Sequence, residues 1–240
     1  MVRQSTPAIL LTRPQPQSER FAEAVRARLG PGIRIAISPL MGPVFHALTP
    51  PEDLAAVILT SETGVEAARR IVAEGQTLPR MAYCVGDHTA AQARAAGFEA
   101  ISASGDAAAL LALITADRPP GRLLHLRGRD SRGAVTDQLN NVGINVLESI
   151  AYSQMPLAPT PEATALLAGT DPVLVALFSA RSAAVFAELP GRVAPLWIAA
   201  LSPAVMVPEL SPLRLAVARH PDAAAMLDAV AGMLNAGAGA

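Results

Sequence analysis

Two stretches of this chain run from an apolar segment through a small hydroxyl residue into a helical pattern: VILTSETGVEAARRI (57–71) and VALFSARSAAVFAEL (175–189). Each is followed by a second apolar segment ending on a small residue, MAYCVGDHTAAQARAAG and LWIAALSPAVMVPEL, so that Gly86 lies 25 residues past Ser61 and Ser202 lies 23 past Ser179. The chain therefore holds an internal repeat. Strand-to-helix turns of this kind leave backbone N–H groups unpaired at a helix N-terminus, where the helix dipole favours negative charge. Ser61, Thr63 and Gly64 in the first copy, with Ser179 and Ser182 in the second, are candidate carboxylate binders; ordinary helix capping is their alternative use. Gly86 and Ser202 occupy the corresponding turns after the second strands. Thr89 stands in the first turn of the helix after Gly86, placed either to hold a ligand or to cap.

Arginine is the other anion-binding type available. Arg13 ends the first strand, where ligand-facing residues of open α/β sheets gather, with a surface salt bridge as the alternative. Arg127 and Arg132 belong to the turn LRGRDSR, in which Arg129 and Asp130 are placed to pair with each other; one of these arginines is expected to meet substrate. His88 adjoins the Gly86 turn, although exposed histidines at a helix start usually carry no function. All nineteen basic residues are arginine, which excludes Schiff-base chemistry, a P-loop lysine and a pyridoxal anchor. The four histidines are scattered, no HExxH or cysteine cluster occurs, and no GxGxxG fingerprint appears, so neither metal nor cofactor is expected. Cys84, the single cysteine, sits in an apolar strand pattern and reads as a buried, inert thiol.

With 240 residues, 51% of them hydrophobic, the chain has ample material for buried cores. A net charge of −1 supplies no global attraction for nucleic acid or an anionic membrane surface. No run approaches the ~18 apolar residues of a spanning helix, and the first residues hold too short an apolar run for a signal peptide, so a cytoplasmic location is expected.

The elements that must position these residues alternate between strand and helix. A strand at 8–13 precedes a helix over 18–29 that Ser18 would cap, and 33–41 alternates like a strand with one exposed face before a cluster of prolines. Four strand–helix pairs follow between 57 and 141, the pattern of a parallel sheet covered on both faces. INVLESIAYSQMP then alternates and ends in prolines, mirroring the first crossing, after which the alternation resumes to the C-terminus. The first strand and helix are too few to fold alone. The expected architecture is two flavodoxin-like parallel-sheet lobes of α/β class, residues 1–37 with 155–240 and residues 42–145. Two connector strands near 33–41 and 144–154 would join them, leaving a cleft between.

LTRP (11–14), LTSETGVEA (59–67), VGDHTAAQARAAGF (85–98), LHLRGRDSR (124–132), GINVLESIAYSQMP (143–156) and FSARSAAVF (178–186), in this order, resemble the uroporphyrinogen-III synthase family over almost the whole chain. The resemblance implies two α/β lobes joined by a β-ladder, no metal and no cofactor. It implies a lyase that closes linear hydroxymethylbilane, received from the preceding pathway enzyme, to uroporphyrinogen III with inversion of the last pyrrole ring and loss of water. A monomer is expected. Acetate and propionate arms on every ring suit many N–H and hydroxyl donors without strong overall positive charge. Because a hydroxymethylpyrrole ionises readily, holding the terminal ring so that its substituted carbon attacks is the main catalytic task.

Family precedent also places a functional tyrosine on the return strand, and Tyr152 in YSQMP matches it. Its phenol would donate to the departing hydroxyl; the alternative is an aromatic that packs the connector ladder. The chain departs from the family pattern at LSPAV, where Ala204 and Val205 stand in place of hydroxyl residues and Pro203 removes one N–H, so side-chain contacts to substrate are not expected there. A two-lobed anion-binding or regulatory protein without catalysis would share the hinge and the turns. A pair of receiver-like phosphoacceptor lobes would need acidic strand ends, which these strands lack.

Overall fold

The computed structural model describes residues 6–130 and 134–237, which leaves Arg132 outside the described residues. In chain order the elements are β1 (Ala8–Leu11), α1 (Gln15–Leu29), β2 (Ile35–Ile37), β3 (Met41–Phe45), β4 (Leu54–Leu59), α2 (Glu62–Ala73), β5 (Met81–Cys84), α3 (Asp87–Ala95), β6 (Glu99–Ser102), α4 (Ala107–Asp117), β7 (Arg122–Gly128), α5 (Val135–Asn141) and β8 (Val146–Pro156). They continue with α6 (Pro161–Ala168), β9 (Val173–Leu177), α7 (Ala180–Ala187), β10 (Leu196–Ala200), a 3-10 turn at Pro203–Val205, β11 (Arg214–Val217) and α8 (Ala223–Gly237). The chain divides into two compact units, Met1–Gly42 with Pro156–Ala240 and Pro43–Met155.

In the first unit a parallel sheet has the order β11-β10-β9-β1-β2. Its central strands, VLVAL and LWIAA, are buried at every residue because helices cover both faces. Val175 and Leu177 feed one core with Phe186 and Ala163; Leu174 and Ala176 feed the other with Phe21, Val25 and Met226. In the second unit the order is β3-β8-β7-β4-β5-β6. Leu59, Leu124 and Leu126 pack with Val65 and Ile71 on the α2 and α3 face, and Ile58, Tyr83 and Leu123 pack with Leu110, Ile114 and Leu139 on the other.

Three sequence expectations change. Helix α1 begins at Gln15, not Ser18, because Pro14 and Pro16 suit the ends and first turn of a helix; Ser18 lies inside it, fully buried, with its hydroxyl donating to the Arg13 carbonyl at 2.9 Å. Residues 33–41 are not one strand, since Pro39 interrupts the ladder between β2, which pairs with β1 in the first sheet, and β3, which lies beside β8 at the edge of the second. The two sheets are also not the same flavodoxin-like winding. The first has that order, 2-1-3-4-5 counted along its own strands, whereas the second reads 3-2-1-4-5 before the added β3.

The two orders are nevertheless related. Laid strand on strand, β6-β5-β4-β7-β8 matches β11-β10-β9-β1-β2, so the first unit is a circular permutation of the second. The registers agree: Ile9 pairs with Ile35 and Leu123 with Val146, and the Ile9 N–H to Arg34 carbonyl bond corresponds to that from Leu123 N–H to the Asn145 carbonyl. GIRIAIS (32–38) therefore corresponds to GINVLES (143–149), and Arg13 to Arg127. The repeat visible in the sequence, 57–97 against 175–210, is the half of each unit that the permutation leaves in the same chain order.

Candidate functional site

In an open α/β sheet the crevice for ligands lies beyond the carboxyl ends of the strands, where neighbouring strands have connections leaving to opposite sides. In the second unit that place is between β4 and β7. Strand β4 ends at Leu59 and the chain turns through Thr60 into Ser61, which is extended (φ −157°, ψ 158°) and caps α2: its Oγ accepts from the Gly64 N–H at 3.0 Å. The same Oγ lies 2.9 Å from the hydroxyl of Tyr152. Tyr152 is 8% exposed and stands on β8, opposite Gly128 at the end of β7, just past a register shift between Arg127 and Gly128.

Gly128 is what admits the ring. A Cβ there would lie 2.7 Å from the tyrosine Cε2 and 2.8 Å from Cζ, closer than a real contact allows. Phe45 lies nearby, tilted by 54° with 6.4 Å between ring centroids, and carries the Arg70 guanidinium 4.3 Å above it. Gly64 is also confined, since a Cβ would approach the Leu126 carbonyl to 3.3 Å. Ser61, Gly64, Gly128 and Tyr152 thus converge from β4, α2, β7 and β8, although Ser61 and Tyr152 are 91 residues apart. Beside them, His46 Nε2 and Arg129 Nε meet Ser153 Oγ at 2.8 and 3.0 Å, and the Arg129 N–H donates to the Tyr152 carbonyl.

The remaining candidates in this unit have other settings. Thr63 is half-buried in the first turn of α2, Gly86 caps α3 by its backbone, and Thr89 is 7% exposed within the first turn of α3. Asp87 already places a carboxylate at that helix start. Its own bonds with Ser102 and Ser104 hold it below the usual aspartate range. Glu62 does the same on α2, 3.3 Å from His88. Arg127 is committed within the protein: it pairs with Glu148 at 2.7 Å and donates to the Gly128 carbonyl at 3.1 Å. That bond to Glu148 raises the guanidinium further and lowers the carboxyl. Cys84 is fully buried, and burial pushes its thiol up to about 11, which leaves it without nucleophilic character near neutral pH.

In the first unit the corresponding place lies between β1 and β9. Ser179 caps α7 as Ser61 caps α2, accepting from the Ser182 N–H at 3.1 Å, and its Oγ lies 2.6 Å from that of Ser182. Arg13 stacks 4.2 Å above the Phe178 ring, which makes a T-shaped contact with Phe21. Ser202 precedes only a 3-10 turn and makes no side-chain cap, so the LSPAV segment offers fewer aligned N–H groups than a full helix. This unit brings no tyrosine to its switch point. Among the described residues no group of three or more His, Cys, Asp or Glu is placed to hold a metal. No helix there is long and apolar enough to cross a membrane.

Sequence reasoning missed Gly128, Phe45, Arg70, Glu148 and the His46–Ser153–Arg129 group. Gly128 reads as a turn residue until the ring beside it is seen, and the others meet only through sheet pairing.

The fold is similar to the crystal structure of uroporphyrinogen-III synthetase from Helicobacter pylori, at 14% identity and a TM-score of 0.61, covering 95% of this chain and 99% of that one. A mutant uroporphyrinogen III synthase from the extremely thermophilic bacterium Thermus thermophilus also matches, at 16% identity, 95% and 99% coverage and a TM-score of 0.46. No curated protein matches closely enough to count as a relative. The family model described as "Uroporphyrinogen-III synthase HemD" matches residues 20–228, which is most of the chain. This chain belongs to the uroporphyrinogen-III synthase family.

Proposed function

We propose that Tyr152 delivers the proton that lets a hydroxyl leave as water in the reaction this chain performs as a uroporphyrinogen-III synthase of tetrapyrrole biosynthesis. In that reaction linear hydroxymethylbilane closes to uroporphyrinogen III with inversion of its last ring. The observation that carries the role of Tyr152 is its clamped setting at the carboxyl edge of the second sheet, with the ring against Gly128 and the hydroxyl 2.9 Å from Ser61 Oγ.

The pyrrole nitrogen lone pair expels the hydroxyl, so the step needs a proton donor and an orienting surface rather than an external electron sink. On this reading the reaction runs without cofactor. The carboxylate donors on this reading are the N–H and hydroxyl groups of Thr63, Gly86, Thr89, Ser179, Ser182 and Ser202, while Ser61 and Gly64 are engaged with each other and with Tyr152. Arg13, which stacks on Phe178, is a further carboxylate donor on this reading. Holding the terminal ring by its carboxylate arms supplies the positioning that favours the inverted product.

The test is to incubate the purified protein with hydroxymethylbilane and separate the porphyrin isomers. Type III product above the spontaneous type I background supports the reading. Type I alone makes the chain an anion-binding protein without chemistry.

A further inference from the structure

We infer that Ser61 is a positioning residue that donates its hydroxyl proton to the Tyr152 phenol oxygen, a step that rests on the proposed role of Tyr152 and deepens it. Ser61 Oγ accepts from the Gly64 N–H as a helix cap, and that uses a lone pair but not its proton. The Tyr152 oxygen lies 2.9 Å away, within reach of that proton. If Tyr152 donated to Ser61 instead, its proton would be turned away from any substrate. With Ser61 as donor, the phenol proton is left to point outward.

The molecule contains its own control. Ser179 occupies the permuted position, caps its helix with the same geometry and has no tyrosine near; its hydroxyl is 2.6 Å from that of Ser182. Capping therefore does not require a phenol. In the second unit the residue three positions on is Gly64, which has no hydroxyl to offer, and Gly128 clears the space that the Tyr152 ring fills. The cap that closes on itself in one unit is turned toward a tyrosine in the other.

The bond between the terminal carbon and its oxygen breaks with both electrons going to oxygen, while the pyrrole nitrogen lone pair takes up the positive charge left on carbon. The Tyr152 proton joins that oxygen to give water. The phenolate that remains is held by the Ser61 O–H, which is itself polarised by the Gly64 N–H at the positive end of α2. The proton lost from the substrate as ring closure is completed restores the phenol.

The experiment compares Ser61→Ala, Ser61→Asp and Ser61→Thr, alone and combined with Tyr152→Phe, in the full chain. Melting temperature, kcat and KM for type III product are measured, with both tyrosines labelled at the ring carbon bearing oxygen by 13C. The chain has two tyrosines, so the Tyr152 signal is assigned by its loss in Tyr152→Phe. Aspartate still caps α2 but has no proton to give, so Ser61→Asp is expected to keep the melting temperature and lose about tenfold in kcat, with KM changing less. Ser61→Ala should lose a similar factor, Ser61→Thr should recover most of it, and the 13C signal should move in the first two variants only. In the Tyr152→Phe background the Ser61 changes should cost nothing further. Wild-type kcat in Ser61→Asp, an unmoved Tyr152 signal, or an equal loss without the tyrosine would overturn the inference. Wild-type kcat in Tyr152→Phe alone would instead overturn the role of Tyr152.

Discussion

A buried phenol held on three sides has little freedom to adapt, and the residues around Tyr152 make its sensitivity testable. Tyr152→Phe keeps the ring, its packing on Phe45 and Gly128, and the fold; it removes only the hydroxyl. Its expected effect is a fall of about 100-fold or more in type III product, with a melting temperature within a few degrees of wild type, read by isomer separation and thermal unfolding. Gly128→Ala tests the same site from the other side. The added Cβ cannot share space with the ring, so the ring moves and leaves Ser61, at a stability cost of about 1–3 kcal/mol. Activity should fall further than that cost accounts for, measured as kcat on protein confirmed folded at the assay temperature. Tyr152 was legible in the sequence through the return-strand motif. Its partners were not, because a glycine's neighbours and a 91-residue contact exist only once β4, β7 and β8 lie side by side.

Among the elements, the two serine-capped helices invite direct comparison. Ser179→Ala removes one N-cap bond from α7 and should cost about 1 kcal/mol in urea unfolding. The sequence marked both caps, since a small hydroxyl residue before a helical pattern carries its own signal. It also marked the Gly86 turn, where Asp87 stands in the first turn of α3 and is held by Ser102 and Ser104. Strand β7 holds a second measurable feature. His125 is 4% exposed, its Nδ1 is 3.1 Å from Thr136 Oγ1, and its Nε2 is buried without a hydrogen-bond partner. Burial pushes the imidazole down to about 4, against an upward pull from Glu148 and a further downward push from Arg127. The unfolded chain, with an ordinary imidazole near 6.5, takes up the proton first. Stability is therefore full above about pH 7 and is lost as pH falls from about 6.5 to 4, by about 3 kcal/mol in total. Denaturant unfolding across that range should show the slope, and His125→Asn should flatten it.

For the molecule as a whole, chain order and spatial order part company. The second unit is one continuous stretch, Pro43–Met155, with hydrophobic packing on both faces of its sheet, whereas the first is assembled from the two ends of the chain. Residues 43–155 expressed alone should fold cooperatively, with near-native circular dichroism, and give no type III product because the donors at Arg13, Ser179, Ser182 and Ser202 are missing. Residues 1–42 alone should stay unfolded, because β1 lacks β9 and α1 lacks the core it shares with α8. Native yield from the two pieces, followed by circular dichroism and isomer assay, checks both outcomes.

From the sequence alone came the α/β alternation, the paired hydroxyl turns, the capping serines and the family resemblance, because each is written in residues close together along the chain: hydrophobic period, cap chemistry and short motifs are local. Tertiary structure decided that 33–41 is two strands serving two sheets, that the sheets are permuted copies rather than repeats in register, and that Arg127 is spent on Glu148. It also decided that one of two equivalent caps meets a tyrosine. The physical reason is that parallel strands pair across helices and long crossings, so which side chains share a sheet edge follows from winding order, and winding order leaves no mark on any single stretch of sequence.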